Sequence, residues 1–194
     1  MDYFVHESSY IDKDVSIGVN SKIWHFTHVQ SGAVIGNNCS LGQNVNISNN
    51  VRIGNGVKIQ NNVSVYEGVE LEDYVFCGPS MVFTNDINPR SKFSKGRLNY
   101  KRTLVREGAT LGANCTIICG NIIGKWSMIA AGSVVTNHVK DYALIVGVPG
   151  KQVGWVCECG EKLESNYTCS SCERKYTILE DDSLIKIEGE NCGV

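Results

Sequence analysis

No apolar run in the sequence is long enough to span a bilayer. Residues 1–4 carry neither the basic start nor the apolar core of a secretory signal. The net charge is only −2, with acidic and basic residues intermixed, so no bulk electrostatic field favours nucleic acid. We therefore expect a cytoplasmic protein that has neither a membrane partner nor a nucleic-acid partner.

Histidine is also scarce, since the chain has only His6, His25, His28 and His138. A catalytic zinc on a repetitive β fold would need three convergent imidazoles. No two of the four histidines share a column of the repeat described below, which argues against a metal site within the coil. For His25 and His28, which flank aromatic residues, subunit contact is favoured over proton transfer.

What the chain does have is a six-residue repeat. Thirteen successive units run in one phase from Ile11 to the unit that begins at Phe83. Each unit starts with an aliphatic residue, a cysteine or a phenylalanine, and a second small or apolar residue follows four positions later, as at Val15. A fixed short period of this kind predicts an all-β solenoid of stacked turns.

The turn chemistry agrees with this prediction. Positions 32, 38, 44, 50, 56, 62 and 68 are all Gly or Asn, the residues that enter the left-handed backbone region at the lowest cost. Three units should form one triangular coil, so residues eighteen apart should stack at about 4.8 Å. Cys39, Cys77 and Cys115 then point inward as small apolar fillers. The odd total of nine cysteines argues against a secreted disulfide framework.

The repeat loses its phase once. Units resume at Val105, which lies 22 residues after Phe83, a spacing that six does not divide. We expect residues 88–104 to form an ejected loop, and this loop carries a third of the 18 basic residues and no acid. Its basic residues are Arg90, Lys92, Lys95, Arg97, Lys101 and Arg102. A solvated loop is the simpler interpretation, but this concentration of charge favours an anion site.

The eighteen-residue spacing predicts three polar columns on the outer surface. They are His25, Gln43 and Asn61; His28, Asn46 and Ser64; and Glu67 beneath Asn85. The third column lies at the root of the basic loop, where Glu67, Asn85 and Asp86 would line a pocket for a charged ligand. Equally, Asn85 and Asp86 would build a turn before Pro89.

The tail, residues 156–194, differs in composition from the coil domain, residues 1–155. It carries two close cysteine pairs, Cys157 with Cys159 and Cys169 with Cys172. Four thiolates across a short hairpin suit a structural zinc, although the first pair has one intervening residue rather than the commoner two. A redox dithiol is the weaker alternative in a segment without a core of its own. Cys192 is too isolated to assign as a ligand.

Several motifs resemble those of the left-handed β-helix acyltransferases, and most closely the bacterial nucleotide-sugar 3-N-acetyltransferases. They are residues 23–29 (IWHFTHV), 41–45 (LGQNV), 59–66 (IQNNVSVY), 77–85 (CGPSMVFTN) and 88–90 (NPR). The resemblance covers roughly residues 3–156. It points to enzymes that acetylate UDP-2-acetamido-3-amino-2,3-dideoxyglucuronate for surface polysaccharides. The aspartate at position 86 also resembles a feature of relatives that act on dTDP-3-amino-3,6-dideoxyhexoses.

The resemblance implies a left-handed parallel β-helix that forms homotrimers, with acetyl-CoA in the groove between neighbouring coils. Small residues that would admit the pantetheine arm are Ala109, Gly112, Ala113, Ala130, Ala131 and Gly132. Turns of a β-helix need small residues in any case, which accounts for part of this set. Lys151 would meet a CoA phosphate as a point charge.

The reaction expected from the resemblance is attack of a sugar 3-amine on the thioester of acetyl-CoA. Asn85 would orient the amine, because its side chain accepts and donates hydrogen bonds but cannot abstract a proton. Glu67 or Asp86 as a general base is the competing mechanism. Arg90 and Arg97 are candidates for a diphosphate or carboxylate, and His25, His28, Gln43, Asn46 and Asn61 for other substrate contacts. The alternative outside catalysis is a trimeric scaffold whose tail docks a partner.

Overall fold

A computed structural model describes residues 2–187, so Cys192 and the end of the tail lie outside the described residues. The strands are β1 (Phe4–Val5), β2 (Tyr10–Ile11), β3 (Ser16–Ile17), β4 (Lys22–Ile23), β5 (His28–Val29), β6 (Val34–Ile35), β7 (Ser40–Leu41), β8 (Asn46–Ile47), β9 (Arg52–Ile53), β10 (Lys58–Ile59), β11 (Ser64–Val65), β12 (Val69–Leu71), β13 (Phe76–Cys77), β14 (Val82–Phe83), β15 (Thr103–Val105), β16 (Thr110–Leu111), β17 (Thr116–Ile117), β18 (Ile122–Ile123), β19 (Met128–Ile129), β20 (Val134–Val135), β21 (Ala143–Val146), β22 (Lys151–Trp155), β23 (Tyr176–Ile178) and β24 (Leu184–Lys186). One 3₁₀ turn spans Arg97–Asn99.

The strands of the coil stack into three sheets that form the faces of a prism. The sheets contain nine, seven and six strands, and every pairing within the coil is parallel except the last, β21 with β22. Most paired residues are eighteen apart, as in His28 with Asn46 and Asn46 with Ser64. This register confirms the three-sided coil, and the architecture matches the left-handed β-helix of hexapeptide repeats.

The core is a single column of apolar side chains inside the prism. The second residue of nearly every short strand is buried, and so is the residue four positions later, as with Ile59 and Val63. Cys39, Cys77 and Cys115 are buried as expected. The turn positions have positive φ angles, and they include Phe26 at 55° as well as the expected Gly and Asn.

Backbone hydrogen bonds between turns define the edges of the prism. One edge, here the His25 edge, carries His25, Gln43, Asn61, Pro79, Ala113 and Ala131, and the carbonyls of the first five accept N–H groups from the turn above. A second edge, here the Glu67 edge, carries Ser31, Asn49, Glu67 and Asn85. The seven-stranded sheet separates these two edges, since its strands β5, β8, β11 and β14 run from one to the other.

The basic loop leaves the coil at the Glu67 edge. Residues 87–99 are exposed, and pairing resumes where Val69 meets Thr103 on β15. Strand pairing therefore resumes two residues before Val105, where the repeat was expected to restart. The offset between paired strands grows from 18 to 34 residues across the loop, as in Phe76 with Thr110, so sixteen residues are ejected.

After β20 the chain forms β21, turns back as β22 and enters the tail. The tail contributes buried residues such as Leu163, Tyr176 and Leu184 to the same apolar cluster as the coil. Its strands β23 and β24 form an antiparallel hairpin. Across the described part of the chain, no helix has the length and apolar character needed to cross a membrane.

Candidate active site

The root of the basic loop forms a concavity of about 310 Å³. It is lined by Asn85, Asp86, Pro89, Arg90, Ser91, Ser94, Gly96 and Tyr100. The chain thus brings together three of the residues expected from the sequence, Asn85, Asp86 and Arg90. The loop supplies all five of the other lining residues. The eighteen-residue spacing does not predict their positions, because the loop lies outside the repeat.

Asn85 and Asp86 are positioned by the backbone of the loop. The Asn85 carbonyl accepts a hydrogen bond from the Lys101 N–H at 3.0 Å, which closes the neck of the loop. Asp86 Oδ1 accepts the Asn88 N–H at 2.8 Å. The turn expected before Pro89 is therefore present, and it coexists with the pocket rather than replacing it. One oxygen of Asp86 is engaged in holding this turn.

Glu67 is on the turn next to Asn85 but faces a different concavity. The register of Ser64 with Val82 places Glu67 and Asn85 three residues beyond paired positions. Glu67 lines a separate concavity of about 220 Å³ with Arg52, Glu70 and Arg102 among other residues. Its Oε2 lies 2.9 Å from Nη2 of Arg97. Arg97 is thus bound to the carboxylate that was expected to act beside Asn85.

The His25 edge forms a groove of about 340 Å³, and its lining residues are Trp24, His25, Ser40, Gly42, Gln43, Ile59, Gln60 and Asn61. The column expected from the sequence is therefore present. Asn61 has a structural task there, because its Oδ1 accepts the Gln43 N–H at 2.8 Å. The side-chain amides of Gln43 and Gln60 and the Trp24 ring are the groups that this groove presents to a ligand.

The histidines differ from the expectation in one respect. The rings of His6 and His25 stack with centroids 3.5 Å apart, although no two histidines were expected to share a column. His6 and His25 are nineteen residues apart in the sequence. The eighteen-residue spacing of the coil therefore does not predict that their rings stack. His28 Nε2 lies 2.8 Å from Asp12 Oδ1. His28 and Asn46 are adjacent in register, as predicted.

The small residues divide into inward and outward sets. Ala109 is fully buried in the core, so its expected contact with acetyl-CoA is wrong. A Cβ on Gly112 would lie 2.6 Å from the Ala131 nitrogen, so this glycine serves the stacking of turns. Ala131 and Gly132 are exposed, and Ala113 and Ala130 are half-buried. These four residues remain as the candidate surface for a pantetheine arm.

Lys151 continues this surface beyond the last coil. It is exposed, and it pairs with Val146 across the antiparallel β21–β22 turn. Strand β21 pairs in parallel with β19, and Ala130 and Ala131 directly follow β19. Lys151 pairs with the last residue of β21, so its backbone lies at the same end of these strands as Ala130 and Ala131. Its expected contact with a CoA phosphate stays a prediction.

The thiols in the coil are poor candidates for a covalent mechanism. Burial raises the pKa of the Cys115 thiol to about 12, and burial also raises the pKa of Cys77. Thiols in this state stay protonated near neutral pH, and the thiolate is the nucleophilic form. This supports their expected role as apolar fillers.

The four tail cysteines lie together, with all four sulfur atoms within 4.8 Å of one another.

Comparison with known proteins identifies the family. The model of the bacterial transferase hexapeptide (six repeats) matches residues 14–49. The hexapeptide repeat of succinyl-transferase matches residues 32–67 and 107–137. The chain is 43% identical over 179 residues to dTDP-3-amino-3,6-dideoxy-α-D-galactopyranose 3-N-acetyltransferase of Aneurinibacillus thermoaerophilus, with 91% of this chain and 92% of that protein covered. The chain therefore belongs to the hexapeptide-repeat nucleotide-sugar N-acetyltransferases, which are acetyl-CoA-dependent enzymes.

Solved structures agree on the fold. A variant of GDP-perosamine N-acetyltransferase from Caulobacter crescentus, bound to CoA and GDP-perosamine, superposes with a TM-score of 0.52 at 22% identity, covering 77% of this chain and 55% of that chain. A hexapeptide transferase family protein from Anaplasma phagocytophilum gives a TM-score of 0.56 at 21% identity, covering 80% and 84%. At these identities the likeness shows the fold alone.

Proposed function

We propose that this protein transfers the acetyl group of acetyl-CoA to the 3-amine of a dTDP-linked 3-amino-3,6-dideoxyhexose. The observation that carries the proposal is the 43% identity to an enzyme of that activity along nearly the whole of both chains. This relative favours the dTDP-sugar interpretation over the UDP-linked glucuronate expected first from the sequence. Asp86, which lines the concavity at the loop root, agrees with that choice.

The chemistry needs orientation more than a strong base. A sugar amine beside electron-withdrawing substituents is partly unprotonated near neutral pH, so its lone pair is free to attack the thioester carbon. In our proposal, Asn85 accepts a hydrogen bond from the amine and aims the lone pair, which lowers the barrier by several kcal/mol. The C–N bond forms, the C–S bond breaks, and the departing CoA thiolate takes the proton from nitrogen. A backbone N–H stabilises the oxyanion.

Arg90 is the proposed contact for the diphosphate. It lines the same concavity as Asn85 and Asp86, and a guanidinium can bind phosphate oxygens in a bidentate manner. Arg97 is bound to Glu67 instead, so a substrate role for Arg97 requires this ion pair to open. We assign to Arg97 the task of holding the loop, and to Arg90 the task of binding the anion.

We propose further that the enzyme is a homotrimer with its sites between subunits. Asn85 and the loop lie on the Glu67 edge, whereas Ala113 and Ala131 lie on the His25 edge, with the seven-stranded sheet between them. A site that uses both sets thus needs two chains, and cyclic symmetry supplies such pairs three times. Acetyl-CoA would lie along the small residues of one chain and meet Asn85 of the next.

The compartment proposed is the cytoplasm. Four neighbouring thiols of the tail have sulfur separations too long for disulfides, which suits a reducing environment. The same four tail cysteines are proposed to hold a structural zinc ion.

A thiol-release assay with acetyl-CoA tests the function. We expect dTDP-3-amino-3,6-dideoxygalactose to give a kcat/KM at least about tenfold above that of UDP-2-acetamido-3-amino-2,3-dideoxyglucuronate. The matched control is dTDP-6-deoxygalactose, which lacks the amine and should release no thiol. Preference for the UDP sugar would overturn the assigned substrate, and failure with every 3-amino sugar would overturn the function.

A further inference from the structure

The four cysteines of the tail have the spacing of ligands around one cation. Cys157 Sγ lies 3.4 Å from Cys172 Sγ, Cys159 Sγ lies 3.5 Å from Cys169 Sγ, and Cys172 Sγ lies 3.7 Å from Cys159 Sγ. A tetrahedron of Zn–S bonds of about 2.3 Å places its sulfurs about 3.8 Å apart. A disulfide would require about 2.05 Å. The arrangement fits a shared metal ion and excludes two disulfides.

Two small hairpins present these sulfurs to one another. The bridge between Val156 and Lys162 closes the first, and the bridge between Thr168 and Lys175 closes the second. Each hairpin is tightened by hydrogen bonds across its loop, such as the Cys169 N–H to the Arg174 carbonyl at 2.9 Å. Each cysteine pair is therefore held by a hydrogen-bonded hairpin, and the two hairpins together preorganise a tetrahedral site.

The side chains around the sulfurs favour thiolates. The Tyr176 hydroxyl donates to Cys157 Sγ at 3.1 Å, and Arg174 Nη1 donates to Cys172 Sγ at 3.2 Å. Four thiolates on Zn²⁺ leave a net charge of −2, so a cation and a hydroxyl donor beside them are stabilising. Glu158 orients this shell, because Lys186 and Arg174 both pair with it at 2.9 and 3.5 Å.

The same residues connect the cluster to the end of the coil. The Tyr176 ring packs edge-on against Tyr142, with centroids 5.3 Å apart. The Val156 N–H donates to the Tyr142 carbonyl at 2.8 Å, and Lys140 pairs with Asp182 at 3.0 Å. The last turn of a solenoid exposes its apolar interior unless a cap covers it, and the tail is too short to form a core alone.

We propose that Cys157, Cys159, Cys169 and Cys172 bind one zinc ion, and that this ion holds the tail in place as a cap on the last turns of the coil. All four ligand positions are protein sulfurs, so the site is structural and leaves no position open for a substrate. Soft thiolate ligands in a tetrahedron select zinc over the hard cations. The site is independent of the acetyl-transfer proposal.

The test uses the full-length protein. Metal analysis of the purified chain should give one zinc per chain, and Co²⁺ added after chelation should produce the intense visible bands of a tetrahedral thiolate site. Cys159→Ser should reduce the zinc content to background. Cys39→Ser is the matched control, since it removes a buried thiol of the coil and should leave the zinc content unchanged.

Hydrogen exchange of the wild-type protein tests the cap without relying on a variant. Removal of zinc by a chelator should increase amide exchange in residues 156–187 and in β21, while strands β7 to β11 keep their protection. Exchange that is unchanged after zinc loss would overturn the capping role. A chain that binds neither Zn²⁺ nor Co²⁺, or that contains iron instead, would overturn the site.

Discussion

Arg97 of the basic loop forms an ion pair with Glu67 of the coil, with Nη2 and Oε2 2.9 Å apart. Their side chains are 65% and 29% exposed, so the pair contributes less than about 1 kcal/mol to the stability of the fold. The pair joins the loop to the turn beneath it and engages the carboxylate that was a candidate general base. We infer that Glu67 tethers the loop rather than removing a proton.

Glu67→Gln tests this inference. We expect kcat to change by less than about threefold and the KM for the nucleotide sugar to rise a few-fold, because the tether is lost while Asn85 remains. The pH dependence of kcat should keep its shape. Glu70→Gln is the control, since Glu70 lines the same concavity. A fall in kcat of about 10²-fold or more, with loss of the acidic limb of the profile, would make Glu67 the base.

Asn85→Ala should remove most of the turnover, with a fall in kcat of about 10²-fold, because orientation of the amine is lost. The oligomeric state measured by light scattering should stay that of the wild type. The control is Asn88→Ala, at the start of the exposed loop, which should behave like the wild type. Unchanged kinetics in the Asn85 variant would remove this residue from the mechanism.

Arg90→Ala should raise the KM for the nucleotide sugar by about tenfold, because a charge-assisted contact to phosphate is lost. The KM for acetyl-CoA should change by less than about twofold. Lys92→Ala serves as the control for the loss of one positive charge from the loop. Equal increases in both KM values would count against a specific contact and favour a general effect of the loop on folding or access.

Ala131→Trp should raise the KM for acetyl-CoA by at least about tenfold, since the exposed small residue would be replaced by a ring that fills the groove. The melting temperature should stay within a few degrees of the wild type. Ser31→Trp places the same ring on the Glu67 edge near the start of the coil and should leave the KM unchanged. A normal KM in the Ala131 variant would move acetyl-CoA away from the His25 edge.

The periodic part of the molecule was predictable from the sequence because its contacts repeat. Eighteen-residue arithmetic identifies the pairing of Asn46 with Ser64 and the inward position of Val63. The burial of Ala109 also follows from the repeat, since this residue lies four positions after the inward Val105 and therefore points into the core.

The contacts that were not predicted are those that the eighteen-residue spacing does not describe. The stacking of His6 on His25 arises at an offset of nineteen residues. The pairing of Arg97 with Glu67 depends on the path of a loop that has no period. Asn85 and the small residues of the His25 edge lie on different edges because the coil is three-sided. The proposal that one site needs two chains follows only when both edges are located in the structure.

Subunit mixing tests most directly the central claim that one site is built from two chains. Asn85→Ala and Ala131→Trp chains would be co-expressed in equal amounts and assayed for thiol release with dTDP-3-amino-3,6-dideoxygalactose, at an acetyl-CoA concentration below the wild-type KM so that the raised KM of the Ala131 variant limits its turnover. In a cyclic trimer, random mixing pairs an intact Glu67 edge with an intact His25 edge at about one quarter of the sites. We therefore predict about one quarter of the wild-type activity from the mixture, well above either variant alone. Activity no greater than that of the separate variants would contradict the account.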